Sequence, residues 1–157
     1  MEKFRYRLVS PVLMWAIIVV GGVILWFLVP KDRLFYSGML GVVVLILGVV
    51  NWLYVGRAAT SVHRQVARSV EGIDKLITEG IYAVVRHPIY AADIVLFWCA
   101  FIFFPALNVL GIVIWATVVF LFWANFEDRM LEEKFLDDYR AYKQRVPMII
   151  PGLGGKK

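Results

Sequence analysis

The sequence predicts an all-α fold: a polytopic membrane helical bundle of about four transmembrane helices, followed by a cytoplasmic amphipathic helix. Three observations predict it. Of 157 residues, 61% are apolar and the mean hydropathy is +0.74, against the roughly 45–50% apolar usage of soluble domains. The apolar residues gather into four runs separated by polar or proline-containing breaks. Trp15, Trp52, Tyr54, Tyr90 and Trp123 fall near the ends of those runs, as an interfacial aromatic belt does. The whole chain, 1–157, reads as a single integral-membrane domain.

The first run, 8–29, follows Lys3, Arg5 and Arg7 and closes on Val29-Pro30-Lys31-Asp32-Arg33. No small-residue cleavage site follows it, so it reads as an uncleaved membrane helix rather than a signal peptide. The second span is 34–56. Beyond it, Val62, Val66, Val70, Ile73 and Ile77 recur at helical spacing, so a helix should extend from the second span until Gly72 interrupts the pattern. The third span, 89–104, is shorter and ends at Pro105. The uncharged turn Pro105-Ala106-Leu107-Asn108 then leads into the fourth, 109–126, and predicts a tight helical hairpin. In the tail, Leu131, Phe135, Tyr139, Tyr142 and Val146 mark one face of an amphipathic helix that Pro147 and Pro151 end. Such a helix lies on the membrane surface or covers the bundle.

Charge orients the spans. The N-terminus, the 57–88 segment and the C-terminal tail carry 15 Lys and Arg residues; the opposite side holds only Lys31 and Arg33. Positive residues favour the cytoplasmic side, so both termini and the 57–88 segment are expected there. The net charge of +5 is thereby explained as topology rather than as nucleic-acid binding.

That topology puts chemistry in one place. In Gly80-Ile81-Tyr82-Ala83-Val84-Val85-Arg86-His87-Pro88-Ile89-Tyr90, a polar segment meets an apolar one. Pro88 suits the first position of a helix, with His87 as N-cap and Tyr90 in the first turn. A helix N-terminus leaves backbone N–H groups free and favours negative charge, so a carboxylate or phosphate can be seated there. Glu127 directly follows the fourth span, and the hairpin should bring it close to His87. Positive charge on a ligand would be held by Glu127 and by aromatic faces. On spacing alone other readings stay open: Arg86 as a topology anchor, His87 and Tyr90 as interfacial caps, and Glu127-Asp128 as the solvated start of a charged helix. There is no nucleotide-binding glycine motif, no H-E-x-x-H and no Cys/His metal set. Cys99 is alone in an apolar run, so neither a disulfide framework nor a thiolate metal site is expected.

Leu76-Ile77-Thr78-Glu79-Gly80-Ile81-Tyr82, Arg86-His87-Pro88-Ile89-Tyr90, Glu127-Asp128, then Leu131, Phe135-Leu136, Tyr139, Tyr142, Val146 and Ile150-Pro151 resemble the isoprenylcysteine carboxyl methyltransferase and phospholipid methyltransferase family. The resemblance covers about residues 74–151. Counting back from Phe135, Tyr139 and Tyr142 places the family's acidic pair at Glu127-Asp128 rather than Glu132-Glu133. The resemblance implies an integral-membrane methyltransferase that uses S-adenosylmethionine without a Rossmann domain, in a cytoplasmic pocket closed by the C-terminal helix. Asp74, Ile77, Tyr82, His87, Tyr90 and Glu127 would line the cofactor, with Arg86 and Glu127 as catalytic candidates and no metal. Two positions depart from the pattern. The glycine of the family's F-G is Leu136, which implies a continuous helix there. The arginine that holds the acceptor in the carboxyl methyltransferases is Trp123, leaving Trp123 and Arg129 as the substrate-binding candidates. The implied function is methyl transfer to a lipid-like or prenylated acceptor (carboxylate, amine or thiol) arriving from the bilayer. The alternative is a non-catalytic membrane binding or assembly protein that keeps the fold.

Overall fold

The structure, a computed structural model, describes residues 11–68 and 76–152, with side chains in 63–68 left aside. Four helices make up its regular structure: α1 (Pro11–Leu28), α2 (Gly38–Arg68), α3 (Pro88–Phe103) and α4 (Leu107–Arg145), with a 3₁₀ turn at Gly80–Ala83 before α3. α1, α2 through Val62, and α4 are long and apolar enough to cross a membrane. At 16 residues, α3 is about 24 Å long, shorter than a typical full span. Four apolar helices are therefore present, three of them of spanning length. The expected second span begins late, because 34–37 carries no regular structure and helix starts only at Gly38. It does run on past the apolar segment, to Arg68.

The membrane-length apolar stretches of α1 and α2 are hydrophobic nearly all round, so what is unburied there faces lipid. Val19, Val23 and Phe27 on α1 and Leu40, Leu47 and Tyr54 on α2 are exposed. Packing follows the order α2–α3–α4–α1. The α2–α3 contact is close because α2 offers hydrogen at the crossing: a Cβ on Gly48 would lie 2.8 Å from the Cys99 Sγ. Small residues let membrane helices approach in this way. Met14 and Ile18 of α1 pack with Ala116, Val119, Phe120 and Trp123 of α4 to form the main core.

The two ends differ. At one end the segments before α2 and α4 pair: Leu34 N–H donates to the Pro105 carbonyl (2.8 Å), and Leu107 and Asn108 N–H donate to the Asp32 and Pro30 carbonyls (3.0 and 3.1 Å). Those bonds satisfy amides that the start of α4 leaves without intrahelical partners. At the other end, the chain preceding α3 meets the last turns of α4. Arg86 and His87 N–H donate to the carbonyls of Pro147 and Met148 (2.9 and 3.1 Å).

One expectation is overturned. The helix through residue 136 is not continuous: Leu136 has φ 47° and ψ −118°, and the chain changes direction there. The reason lies in what the final segment must reach. The Tyr139 hydroxyl donates to the Asp128 carboxylate. In a straight helix, residues eleven apart lie about 16 Å apart, beyond the joint reach of those side chains. The break folds the final segment back over the start of α3, where Tyr139, Tyr142 and Val146 form a buried cluster with Leu76, Leu131 and Phe135 around it. The amphipathic tail thus covers the bundle end.

Positive φ in a non-glycine residue is strained by about 1–3 kcal/mol. Against the extra unfolded-state freedom of glycine, about 0.5–1 kcal/mol, Leu136→Gly should stabilise the protein by about 1 kcal/mol. Thermal unfolding in detergent checks this, and a lowered midpoint would contradict the bend.

Candidate functional site

Pro88 takes the first position of α3 and His87 its N-cap, as the sequence predicts, but the imidazole makes no capping bond. It turns instead to the acids of α4. His87 Nε2 donates to Asp128 Oδ1 at 2.7 Å, and Nδ1 lies 3.4 Å from Glu127 Oε2. With a carboxylate on each ring nitrogen, the imidazolium suits the position. Burial pulls the His87 pKa down, but the bonds and charges of Asp128 and Glu127 outweigh it and hold it above the ordinary value.

Asp128 is the hub. Its carboxylate is buried and accepts from Arg86 Nε (3.3 Å) and Nη2 (2.6 Å), from His87, and from the Tyr139 hydroxyl. Burial pushes its pKa up; hydrogen bonds from His87, Arg86 and Tyr139 overcome that and hold it well below the carboxylate range. Arg86 also donates through Nη1 to the Lys143 and Val146 carbonyls (3.2 and 2.6 Å). A cation on those carbonyls caps the C-terminus of α4 and complements its dipole. Tyr142 adds a third tie, donating to the Tyr82 carbonyl at 2.6 Å.

Beside this closed network lies an open side. Glu127 is about a third exposed. Tyr90 stacks on His87, 5.6 Å between centroids and 9° from parallel. Tyr82 is half-buried, and burial together with the negative charge of Glu127 pushes its phenol up to about 12. In α3 the first amide to bond back is Ala91, to the His87 carbonyl at 3.0 Å, so the Ile89 and Tyr90 amides have no intrahelical partner. A partly exposed carboxylate, stacked rings and a helix start are thus brought together.

The candidate residues divide accordingly. Arg86, His87, Glu127, Tyr82 and Tyr90 meet at one corner. Ile77 is half-buried in the irregular stretch before the 3₁₀ turn. Asp74 lies outside the described residues. Trp123 is packed in the main core, its indole N–H buried with no partner, and Arg129 is exposed. Glu132, the rejected half of the other acidic pair, binds Arg140 and Lys143 instead (3.1 and 3.3 Å). No group of three or more potential metal ligands occurs among the described residues. What the sequence did not disclose is that Asp128, rather than Glu127, anchors the corner. It also gave no hint that Arg86 binds backbone carbonyls.

An apolar helical bundle with a polar corner at one end, closed by its own C-terminal segment, is the class that fold and site define. The chain belongs to the phospholipid methyltransferase family, whose profile matches residues 36–138. It is 44% identical over 74 residues to methanethiol S-methyltransferase 1 of Bradyrhizobium diazoefficiens, covering 45% of this chain and 24% of that protein. It is 34% identical over 80 residues to protein-S-isoprenylcysteine O-methyltransferase B of Arabidopsis thaliana, covering 49% and 40%. It is 32% identical over 89 residues to methanethiol S-methyltransferase of Pseudomonas deceptionensis, covering 55% and 32%. The chain thus spans less than half the length of these curated relatives. No solved structure matches it.

Two predictions follow from the hub. Asp128→Asn strands the buried Arg86 charge and should cost about 3–5 kcal/mol, read as a lower unfolding midpoint in detergent. The pH dependence has two limbs. The lowered Asp128 pKa gives stability that is present above about pH 4 and lost as pH falls through the folded value; the raised His87 pKa gives stability that is full below about pH 6.5 and lost as pH rises through the folded value. The unfolding midpoint should therefore be highest between about pH 4 and 6.5. His87→Gln should remove the alkaline decline, and a decline that persists in that variant would contradict the assignment.

Proposed function

We propose that this protein is an S-adenosylmethionine-dependent methyltransferase acting on a small or lipid-like acceptor that arrives from the bilayer. The observation that carries the reading is the approach of His87 to Glu127, 3.4 Å apart, beside the start of α3. The residues present fit the donor. Its sulfonium and ammonium are cationic and suit the Glu127 carboxylate and the Tyr82 and Tyr90 faces. Its carboxylate suits the Ile89 and Tyr90 amides. When bound, S-adenosylmethionine supplies an electrophilic methyl group that needs no metal.

The chain's own task is then alignment and water exclusion. Glu127 orients positive charge, and His87 holds Glu127 in place while its other nitrogen is fixed by Asp128. Arg86 is a positioning residue in this reading: it locks the α4 end over the corner through Asp128 and two carbonyls. Asp74 and Ile77 would complete the donor's surroundings and Arg129, exposed on α4, those of the acceptor's polar end, whereas Trp123 is sealed in the main core. The positive charge of the 57–88 segment and tail supports a cytoplasmic position for the corner. The activities for which the relatives are named, on methanethiol and on protein S-isoprenylcysteine, suggest a thiol or a carboxylate as acceptor.

Calorimetry with S-adenosylhomocysteine tests the reading. Binding is expected in the wild type, with affinity falling at least about tenfold in Glu127→Ala and in His87→Ala. No heat with folded wild-type protein would favour a non-catalytic binding or assembly role.

A further inference from the structure

Asp93 is a carboxylate inside the apolar helix α3. It is only 5% exposed, and it lies six residues beyond His87, about 9 Å further along the axis. Trp52 Nε1 of α2 donates to its Oδ1 at 2.7 Å. That is the one hydrogen bond Asp93 makes among the described residues, and it leaves Oδ2 without one there. An ionisable group at such a depth is costly, and it marks function more often than packing. Asp93 is also one turn beyond Tyr90, the ring that stacks on His87, on the same face of α3. Two carboxylates thus follow one another along the start of α3: Glu127 at the rim, held by His87, and Asp93 deeper, with one oxygen unbonded among the described residues.

Resting on the methyltransferase reading above, we propose that Asp93 is the proton acceptor for the methyl acceptor, which is a protic nucleophile, a thiol or an amine, rather than a carboxylate. The nucleophile approaches from the α2–α3 side, where Trp52 is 40% exposed. Asp93 Oδ2 takes its proton, and the lone pair so released forms the bond to the methyl carbon. The sulfur–methyl bond of the donor breaks with its electron pair staying on sulfur, which becomes a neutral thioether. A carboxylate acceptor has no proton to lose and gives Asp93 nothing to do. Trp52 holds Oδ1 and so aims Oδ2.

The test measures S-adenosylhomocysteine release by the full chain in detergent, with S-adenosylmethionine and three probes: decanethiol, decylamine and decanoate. Release is expected with the thiol or the amine, the two arms telling the sources apart, and not with decanoate. Asp93→Asn keeps an oxygen for Trp52 and nearly the same shape. It should lower release at least about a hundredfold at pH 7, while S-adenosylhomocysteine affinity and the unfolding midpoint stay near wild type. With thiophenol as a further probe, whose thiol is already largely ionised at pH 7, the variant should recover toward wild type, because the thiolate then needs no proton acceptor. A purely structural carboxyl gives no such recovery. The assignment is overturned if Asp93→Asn matches wild type at pH 7, if decanoate is the preferred probe, or if protein that binds S-adenosylhomocysteine transfers to neither protic probe. Failure of the wild type to bind S-adenosylhomocysteine is a separate result, and it removes the donor site on which the proposal rests.

Discussion

The structure depends on one buried carboxylate. Asp128 draws Arg86 and His87 from the start of α3 and Tyr139 from the end of α4 onto two oxygen atoms. Taking ions out of water is expensive, and only excellent geometry with every donor satisfied offsets it. Here the offset comes from partners supplied by both flanking segments. Removal of Asp128 leaves the buried Arg86 charge without its counter-ion, and removal of any donor leaves the carboxylate less well satisfied, so the arrangement behaves as a unit.

The bend at Leu136 follows from the same carboxylate. Without a change of direction, the tail helix would project away from the bundle, and its face of Tyr139, Tyr142 and Val146 would find nothing to cover. With it, Arg86 reaches the last carbonyls of α4, and the backbone of Arg86 and His87 pairs with Pro147 and Met148. Backbone strain at one residue is offset by a buried cluster, two carbonyl caps and two main-chain bonds. Strained residues persist where surrounding structure over-determines them.

Adjacent acids with different surroundings divide the work. Successive residues on a helix point about 100° apart, so Asp128 turns into the closed network while Glu127 keeps one edge toward solvent. His87 links them, with one ring nitrogen facing each. The rigid half holds the imidazole, and the imidazole holds the carboxylate that remains open to a ligand. Precise sites need this kind of support behind the groups that touch substrate.

The sequence alone was sufficient for the helices and for the neighbourhood of the site. Long apolar runs must become helices in lipid, because no other local structure satisfies every backbone group within one segment. Pro88 and His87 announced the start of α3, and the hairpin of α3 and α4 placed Glu127 near it. Hydropathy is a property of single segments, so it reads out directly. The roles of Asp128, of the Arg86 guanidinium and of Asp93 were not legible, since each depends on which side chain from another segment comes within about 3 Å, and spacing along one helix carries no such information. Leu136 shows the same limit most clearly: leucine prefers helix locally, and the bend exists only because Tyr139 has a distant carboxylate to reach.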